Sequence, residues 1–591
     1  MLETVFKMHR NHREEYEHRS DKRMDTTTRL TALVMALMIS LPAVFFCGCA
    51  PAGAEPSAGP EAEAAEQLDK ELSAFEIAAM QRDAAQNNTA GYPVLDAGRG
   101  NPNWINAKVR YAFTRLMDFA TAECERTLDN GDMAGHGVRD GIGSRFDAAM
   151  DPENEADRFL IDAVAYCVDE LGMDKDDLLF ELANGITGDY YPSPSRCLSN
   201  TEVILNRYLE SVLYNGVSLA EETELFPTEG GSAAMSYIFQ SLSHNRILKP
   251  GDKIAIGTPI FTPYLEIPNV NDYGLVSINV TAYQDDDWDI PEEELKKLED
   301  PEIKAFFLVN PSNPASHALS AQTLDRLAEV VKKNPNLIIL TDDVYGTFVK
   351  DFQTVYSRIP YNTILVYSFS KLYGVTGWRT GIVALNRDNV IDRLIAELPE
   401  ADKADLRAQY AIVTEDPDSM KFIERLTADS RSIGLYHTSG LSTPSQVFMD
   451  LMALSHLAGG EQDAYIELAN QTVAERYDAL MEALGMEPDH TGANAEYYAL
   501  IDVNALITKK YGDDVTEWKK ANISDLDFLN DLASVEGVVL MYGPGFDAPE
   551  GSVRISLANL NKEDYVEIAR RIMELLDTYY AEYLGEQEAA A

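Results

Sequence analysis

A chain of 591 residues with 45% hydrophobic and 9% aromatic content is long enough for one large subunit of two packed domains plus extra segments. Its 97 acidic residues against 49 basic ones give a formal charge of -48, which argues against a nucleic-acid partner, because phosphate backbones need a basic face. A small anionic ligand is not excluded, since a few placed arginines make a positive pocket inside an acidic shell.

The N-terminus reads as a targeting segment. Met1–Arg29 is polar and mixed in charge, and Leu30–Phe46 is uncharged and mostly apolar. This is the shape of an export signal with a long leading region, or an ordinary one counted from Met24. Residues 1–54 are therefore assigned as a signal or anchor segment, which favours an exported or membrane-anchored protein over a cytoplasmic one. Gly48 before Cys49 fits a lipoprotein signal, Phe46 and Cys47 fit it poorly, and Ala52-Gly53-Ala54 offers another cleavage site. There is no twin-arginine pair of the kind that marks folded export. Residues 55–66, rich in Ala, Glu and Pro, suit a solvated linker. Leu68, Leu72, Phe75 and Ile77 then predict an amphipathic helix over Gln67–Arg82. Of the five cysteines, Cys124, Cys167 and Cys197 fall in the body with no disulfide framework and no metal spacing, and read as small buried hydrophobes.

Further along, short apolar runs stand at Lys253–Ile256, Leu275–Val280, Phe306–Val309, Leu337–Leu340, Thr363–Tyr367 and Gly381–Leu385, with helical patterns such as Leu324–Val331 between them. The alternation predicts a parallel, buried sheet with helices on both faces. Ligands gather beyond the carboxyl ends of such strands, so the polar residues there are the candidates.

Several motifs sit at those ends. Glu229-Gly230-Gly231-Ser232 opens a helical stretch, where glycines let the backbone approach an anion and the helix N-terminus offers free N–H groups. Pro259-Ile260-Phe261 follows one strand, Asn310-Pro311-Ser312-Asn313-Pro314 a second, and Thr341-Asp342-Asp343-Val344-Tyr345 a third. Ser368-Phe369-Ser370-Lys371 ends a fourth, and Gly377-Trp378-Arg379 follows it. Ser370 and Arg379 can converge on a phosphate, while the Lys371 amine can form an imine with an aldehyde beside it. Near the C-terminus, Gly543-Pro544-Gly545-Phe546 precedes Val553-Arg554-Ile555-Ser556.

In this order, over Asp96–Ala558, the motifs resemble those of fold-type I aminotransferases, which depend on pyridoxal phosphate (PLP). The resemblance implies an α/β fold with a large domain, its mainly parallel seven-stranded sheet lying between helices, plus a smaller α+β domain. Residues 67–150 would form an N-terminal arm and the first part of the small domain, 151–430 the PLP-binding large domain, 431–585 the rest of the small domain, and 586–591 a tail. It implies PLP carried by Lys371, with Asp342 opposite the pyridine nitrogen, Tyr345 and Asn313 on the 3-oxygen and Phe261 stacked on the ring. Gly230, Gly231, Ser232, Ser368, Ser370 and Arg379 would surround the phosphate. Tyr191, with Tyr190 as the competing assignment, would reach the phosphate of a partner subunit, which implies at least a homodimer. Arg554 would grip the substrate alpha-carboxylate beside Asn313. Ala315-Ser316 departs from the usual Thr-Gly after the asparagine turn and puts the turn's shape in doubt.

Within the family, Ala97-Gly98-Arg99-Gly100-Asn101-Pro102-Asn103-Trp104, Pro259–Glu266 and Ser556–Leu560 look like segments of aspartate 4-decarboxylases, and the long acidic stretches Glu123–Glu181 and Asp388–Ser439 resemble that subgroup's insertions. The implied reaction turns L-aspartate into L-alanine and CO2, with amino transfer to a 2-oxo acid as side activity; an aminotransferase without decarboxylation is the alternative. Arg99, beside Gly100, is the expected partner of the distal carboxylate, against a plain structural ion pair, and Thr438 is a second pocket candidate. The subgroup forms larger assemblies of dimers. A PLP-binding transcription regulator would need a basic DNA-binding module before Asp96, where the chain has an apolar leader and an acidic linker.

Overall fold

The computed structural model describes residues 73–269, 273–460 and 463–590. The targeting segment at 1–54, the linker at 55–66, the start of the helix expected from Gln67 and the last residue of the tail lie outside them.

Seven strands form the main sheet: β1 (Thr223–Thr228), β2 (Lys253–Thr258), β3 (Val276–Thr281), β4 (Ile303–Val309), β5 (Ile338–Asp342), β6 (Thr363–Ser368) and β7 (Gly381–Asn386). Their order is β1-β7-β6-β5-β4-β2-β3, parallel throughout except that β7 runs antiparallel to both β1 and β6. Central strands β5, β6 and β7 are buried at every residue. This is why they read as continuous apolar runs, the mark of a sheet covered on both faces. Alternate side chains sort to opposite faces: Phe307 and Leu340 join one apolar cluster, Phe306, Leu308 and Ile339 another.

The helices that matter to the site are α1 (Ala74–Gln86), α2 (Ala107–Glu125), α3 (Glu155–Asp169), α4 (Lys175–Thr187), α5 (Ser199–Leu213), α6 (Gly231–His244), α7 (Ala321–Lys333), α8 (Glu400–Tyr410), α9 (Phe422–Asp429), α10 (Thr443–Leu457), α11 (Tyr465–Leu484) and α12 (Lys562–Ala590). Polar caps fix several starts: Ser73 accepts from the Phe75 amide at α1, Asn106 from Val109 at α2, and Ser320 from Thr323 at α7. A smaller body holds the antiparallel sheet β8 (Tyr498–Asp502), β9 (Met541–Tyr542) and β10 (Ser552–Ser556), ordered β8-β10-β9. Leu95–Asp96 pairs in parallel with Val538–Val539 beside it.

Packing moves the expected domain boundaries. Val109, Leu116 and Phe146 share one core with the main sheet, as do Phe448 and Val473. The second core draws on Leu95, Ala97 and side chains from Tyr477 to Tyr579. Residues 107–150 thus belong to the large body rather than to the small one, and the large body continues past 430 into α11. That helix serves both, with Val473 in the first core and Leu480 in the second. Cys124, Cys167 and Cys197 are all buried and unpaired, and burial raises the Cys167 thiol to about 12.

Candidate active site

The carboxyl ends of β4, β5 and β6 open into a cavity of about 390 Å³. Because β7 runs antiparallel, its first residue, Gly381, lies level with Ser368 and Thr228 at the same sheet edge. The cavity is lined by Gly100, Gly231, Ser232, Phe261, Asn313, Asp342, Tyr345, Ser368, Ser370, Lys371, Arg379 and Arg554, twelve of the residues expected from sequence.

Lys371 follows β6, and its Nζ donates to the carbonyl of Gly100 at 3.1 Å. Tyr497 Oη donates to the same carbonyl at 2.8 Å. Asp342, the last residue of β5, is buried and accepts from Tyr264 Oη at 2.7 Å. Burial pushes its carboxyl up, while the Tyr264 hydroxyl, the Val344 amide and Lys371 pull the other way.

The small-residue end of the cavity is built for close approach. Gly230 has φ +87°, outside the range of ordinary side chains, and a Cβ there would collide with Arg379 Nη2. A Cβ on Gly381 would lie 2.9 Å from Gly230 Cα. Helix α6 begins at Gly231, so its first free amides stand beside Ser232. Ser368 Oγ donates to Thr380 O, lies 2.9 Å from Ser370 Oγ and accepts from the Ser370 amide, fixing the turn that carries Lys371. Arg379 is exposed, and its Nη1 donates to Thr376 O.

At the opposite end, Arg554 comes from β10 and is only 1% exposed. Nη1 donates to Asn313 Oδ1 at 3.0 Å and Nη2 to Gly98 O at 2.7 Å, and Nε is buried without a partner. Its guanidinium lies between the rings of Tyr498 and Phe546, 4.3 and 4.8 Å from the two centroids. Among the described residues no carboxylate pairs with it; burial lowers its pKa, and three nearby tyrosines oppose that. The Ser316 that replaces the usual glycine takes φ +70°, and its Oγ accepts from the amides of Tyr497 and Tyr498 at 3.1 and 3.2 Å. The departure therefore keeps the left-handed turn and adds two hydrogen bonds.

Four expected residues do not line this cavity: Gly230, which borders it through Arg379, and Arg99, Tyr191 and Thr438. The Arg99 side chain is 62% exposed and lies 3.6 Å from Asp96, as the structural ion pair weighed against it requires. Tyr191 and Thr438 line a neighbouring cavity of about 650 Å³, which shares Arg379 with the first. Tyr191 is 70% exposed, and Thr438 Oγ1 donates to Leu435 O. Sequence reasoning missed Phe75, Tyr264 and Tyr498. Tyr264 stood in the quoted Pro259–Glu266 segment and Phe75 among the apolar positions of the helix expected over Gln67–Arg82, read there only as packing; Tyr498 carried no local signal.

The profile of the family described as aminotransferase class I and II matches residues 205–572. A bifunctional aspartate aminotransferase and L-aspartate beta-decarboxylase of a Pseudomonas species is 43% identical over 501 residues, covering 84% of this chain and 94% of the relative. Among solved structures, a single mutant of the Thermus thermophilus aspartate aminotransferase aligns with TM-score 0.55 and 18% identity over 88% of this chain and 99% of its own. An aromatic aminotransferase from Pyrococcus horikoshii aligns with TM-score 0.54 and 18% identity over 84% and 99%. The two structural likenesses bear on the fold alone.

Proposed function

The chain belongs to the class I and II aminotransferases, and from that premise we propose that it removes the beta-carboxylate of L-aspartate to give L-alanine and CO2, with amino transfer to a 2-oxo acid as side activity. The observation that carries this reading is the 43% identity to the bifunctional Pseudomonas enzyme across nearly the whole of that protein. Enzymes of this family use pyridoxal phosphate, and the cavity fits it. The glycine turn at Gly230 leaves room for a phosphate, Asp342 is a buried carboxylate bonded to the Tyr264 hydroxyl and, among the described residues, to no cation, and Arg554 keeps a buried N–H free for an anion.

Bound there, the cofactor would supply a sink for the electron pair released when a substrate bond breaks. The chain's own residues hold and steer. Gly230, Gly231, Ser232, Ser368, Ser370 and Arg379 would take the phosphate, combining helix amides, hydroxyls and one full positive charge. Asp342 would hold a proton on the ring nitrogen, Asn313 and Tyr345 would bind the 3-oxygen, and Phe261 would cover the ring face. Lys371 would anchor the cofactor, and its amine is placed to carry the proton of the substrate alpha carbon. Arg554 takes the alpha-carboxylate through its two-pronged guanidinium. Arg99 takes the distal carboxylate: an exposed ion pair such as the one with Asp96 contributes about 0–1 kcal/mol, so exchanging it for a substrate carboxylate is inexpensive.

Tyr190, Tyr191 and Trp378 are large, exposed aromatics, and this supports a homodimer in which Tyr191 reaches the partner's phosphate. The apolar run Leu30–Phe46 supports export or membrane attachment.

The test uses protein lacking residues 1–54, supplied with pyridoxal phosphate and L-aspartate. Equal amounts of alanine and CO2 without added 2-oxoglutarate are expected. Oxaloacetate and glutamate appearing only with 2-oxoglutarate would make the protein an aminotransferase and overturn the decarboxylase assignment.

A further inference from the structure

Tyr498 occupies a junction that no local motif marks. It opens β8 on the small body, is 2% exposed and lines the cavity. Its Oη lies 2.8 Å from the Oη of Tyr345, which belongs to the large body. The face of its ring lies against the Arg554 guanidinium. A Cβ on Gly100 would collide with its hydroxyl while standing 3.2 Å from Lys371 Nζ, so Tyr498 Oη and the lysine amine crowd the same point. Its backbone amide is held in turn by Ser316 Oγ, three residues beyond Asn313. Facing this one phenol, then, are Lys371, Tyr345, Arg554 and the ring of Tyr497, 5.1 Å away centroid to centroid.

We propose that Tyr498 is a positioning residue: its ring holds the Arg554 guanidinium flat at the substrate end of the cavity, and its hydroxyl shares a hydrogen bond with Tyr345 in which Tyr498 becomes the donor once Tyr345 gives its own proton to the cofactor, tying the arginine and the tyrosine to one rigid side chain. This rests on the roles given above to Arg554 and Tyr345. Two physical consequences follow. A guanidinium on a desolvated aromatic face keeps one orientation without a carboxylate, so it stays ready for the substrate's own. A hydroxyl that receives a hydrogen bond becomes a stronger donor, so Tyr345 would hold a negative oxygen on the cofactor more firmly than it could alone.

The test separates ring from hydroxyl with Tyr498→Phe and Tyr498→Leu. The first readout is the pH midpoint at which the visible absorbance of the pyridoxal-phosphate-loaded protein titrates. Tyr498→Phe weakens support for the negative oxygen, so the midpoint is expected to rise by about half a pH unit. The second is KM for L-aspartate: Tyr498→Phe keeps the ring and changes it less than about threefold, while Tyr498→Leu raises it about tenfold beyond that. The third is the affinity of the cofactor-free protein for pyridoxal phosphate by fluorescence quenching, expected to stay within about threefold in Tyr498→Phe because the phosphate cradle is untouched. A Phe variant titrating at the wild-type pH, or a Leu variant with the KM of the Phe variant, overturns the proposal. Should the Leu variant fail to fold, the near-isosteric Phe variant still decides the hydroxyl's part. Lys371→Ala is the separate control: if it keeps the wild-type visible band, the site reading itself fails, whereas loss of the band beside unchanged Tyr498 variants defeats this inference alone.

Discussion

Lys371 Nζ and the carbonyl oxygen of Gly100 are 3.1 Å apart, so the amine assigned to the cofactor is held by a backbone strap from the other end of the chain. The strap is fastened on both sides: Trp104 Nε1 donates to Leu372 O beside the lysine, and the Asn103 amide to Ala558 O in the small body. Residues 98–104 are therefore placed by tertiary bonds rather than by a helix or strand of their own.

Gly100→Ala tests how tight that strap is. Gly100 does not have a positive φ, so alanine meets no backbone penalty there and acts through space alone. Its Cβ would drive into Tyr498 Oη, which the bond to Tyr345 and the packing on Arg554 keep in place. Overpacking of this kind costs about 1–3 kcal/mol. Urea melts should show a midpoint loss of that size, with a fall in activity larger than the fraction unfolded explains; unchanged melts and activity would mean the strap moves freely.

Arg554→Lys keeps a charge and loses the fork. The variant leaves Asn313 Oδ1 and Gly98 O to share one ammonium at a buried position. KM for L-aspartate is expected to rise about 30- to 100-fold, in proportion to a lost charge-assisted bond worth about 2–3 kcal/mol. Steady-state kinetics on protein of wild-type cofactor content measures it, and a KM within threefold would remove Arg554 from the carboxylate site.

How far the sequence carried the site follows chain distance. Lys371, Asp342 and Asn313 were readable because each ends a strand inside a motif of a few residues, and strand ends meet at one edge of a parallel sheet. Tyr498 and Phe75 reach the same cavity from 127 residues after Lys371 and 267 before Asp342, by packing that no local pattern encodes. Strand β1 escaped notice because an edge strand with Pro227 and Glu224 lacks the apolar run of its buried neighbours. Residues 107–150 were placed with the small domain because an amphipathic pattern shows which face of a helix is buried and not against what, and Val109, Leu116 and Phe146 pack into the large core.

Asp343, next to the proposed cofactor aspartate, gives a pH prediction. Burial pushes its carboxyl up to about 8, against a hydrogen bond from Thr341 Oγ1. The folded value lies above the unfolded 3.8, so its share of stability is fully present below about pH 4 and is lost as pH rises toward 8. Asp343→Asn removes the titration. From pH 5 to 8 the wild-type protein should lose more stability in urea melts than the variant, by on the order of 2–4 kcal/mol. Parallel curves for the two proteins would show that the carboxyl ionises without cost.

The sharpest question is whether Arg99 leaves Asp96 for a ligand. In the structure its contact is 3.6 Å long and exposed, and Asp96 already has a shorter partner in Arg82 Nε at 2.9 Å. Asp96 therefore stays paired if Arg99 departs, and the departure leaves no buried charge uncovered. Succinate, with two carboxylates, and propionate, with one, separate the possibilities as competitive inhibitors. Arg99→Ala should weaken succinate about tenfold and leave propionate within about twofold, because only the second carboxylate loses a partner. Equal weakening of both would place Arg99 at the alpha-carboxylate beside Arg554. No weakening of either would make it the structural ion pair and require the second positive charge to come from a partner subunit.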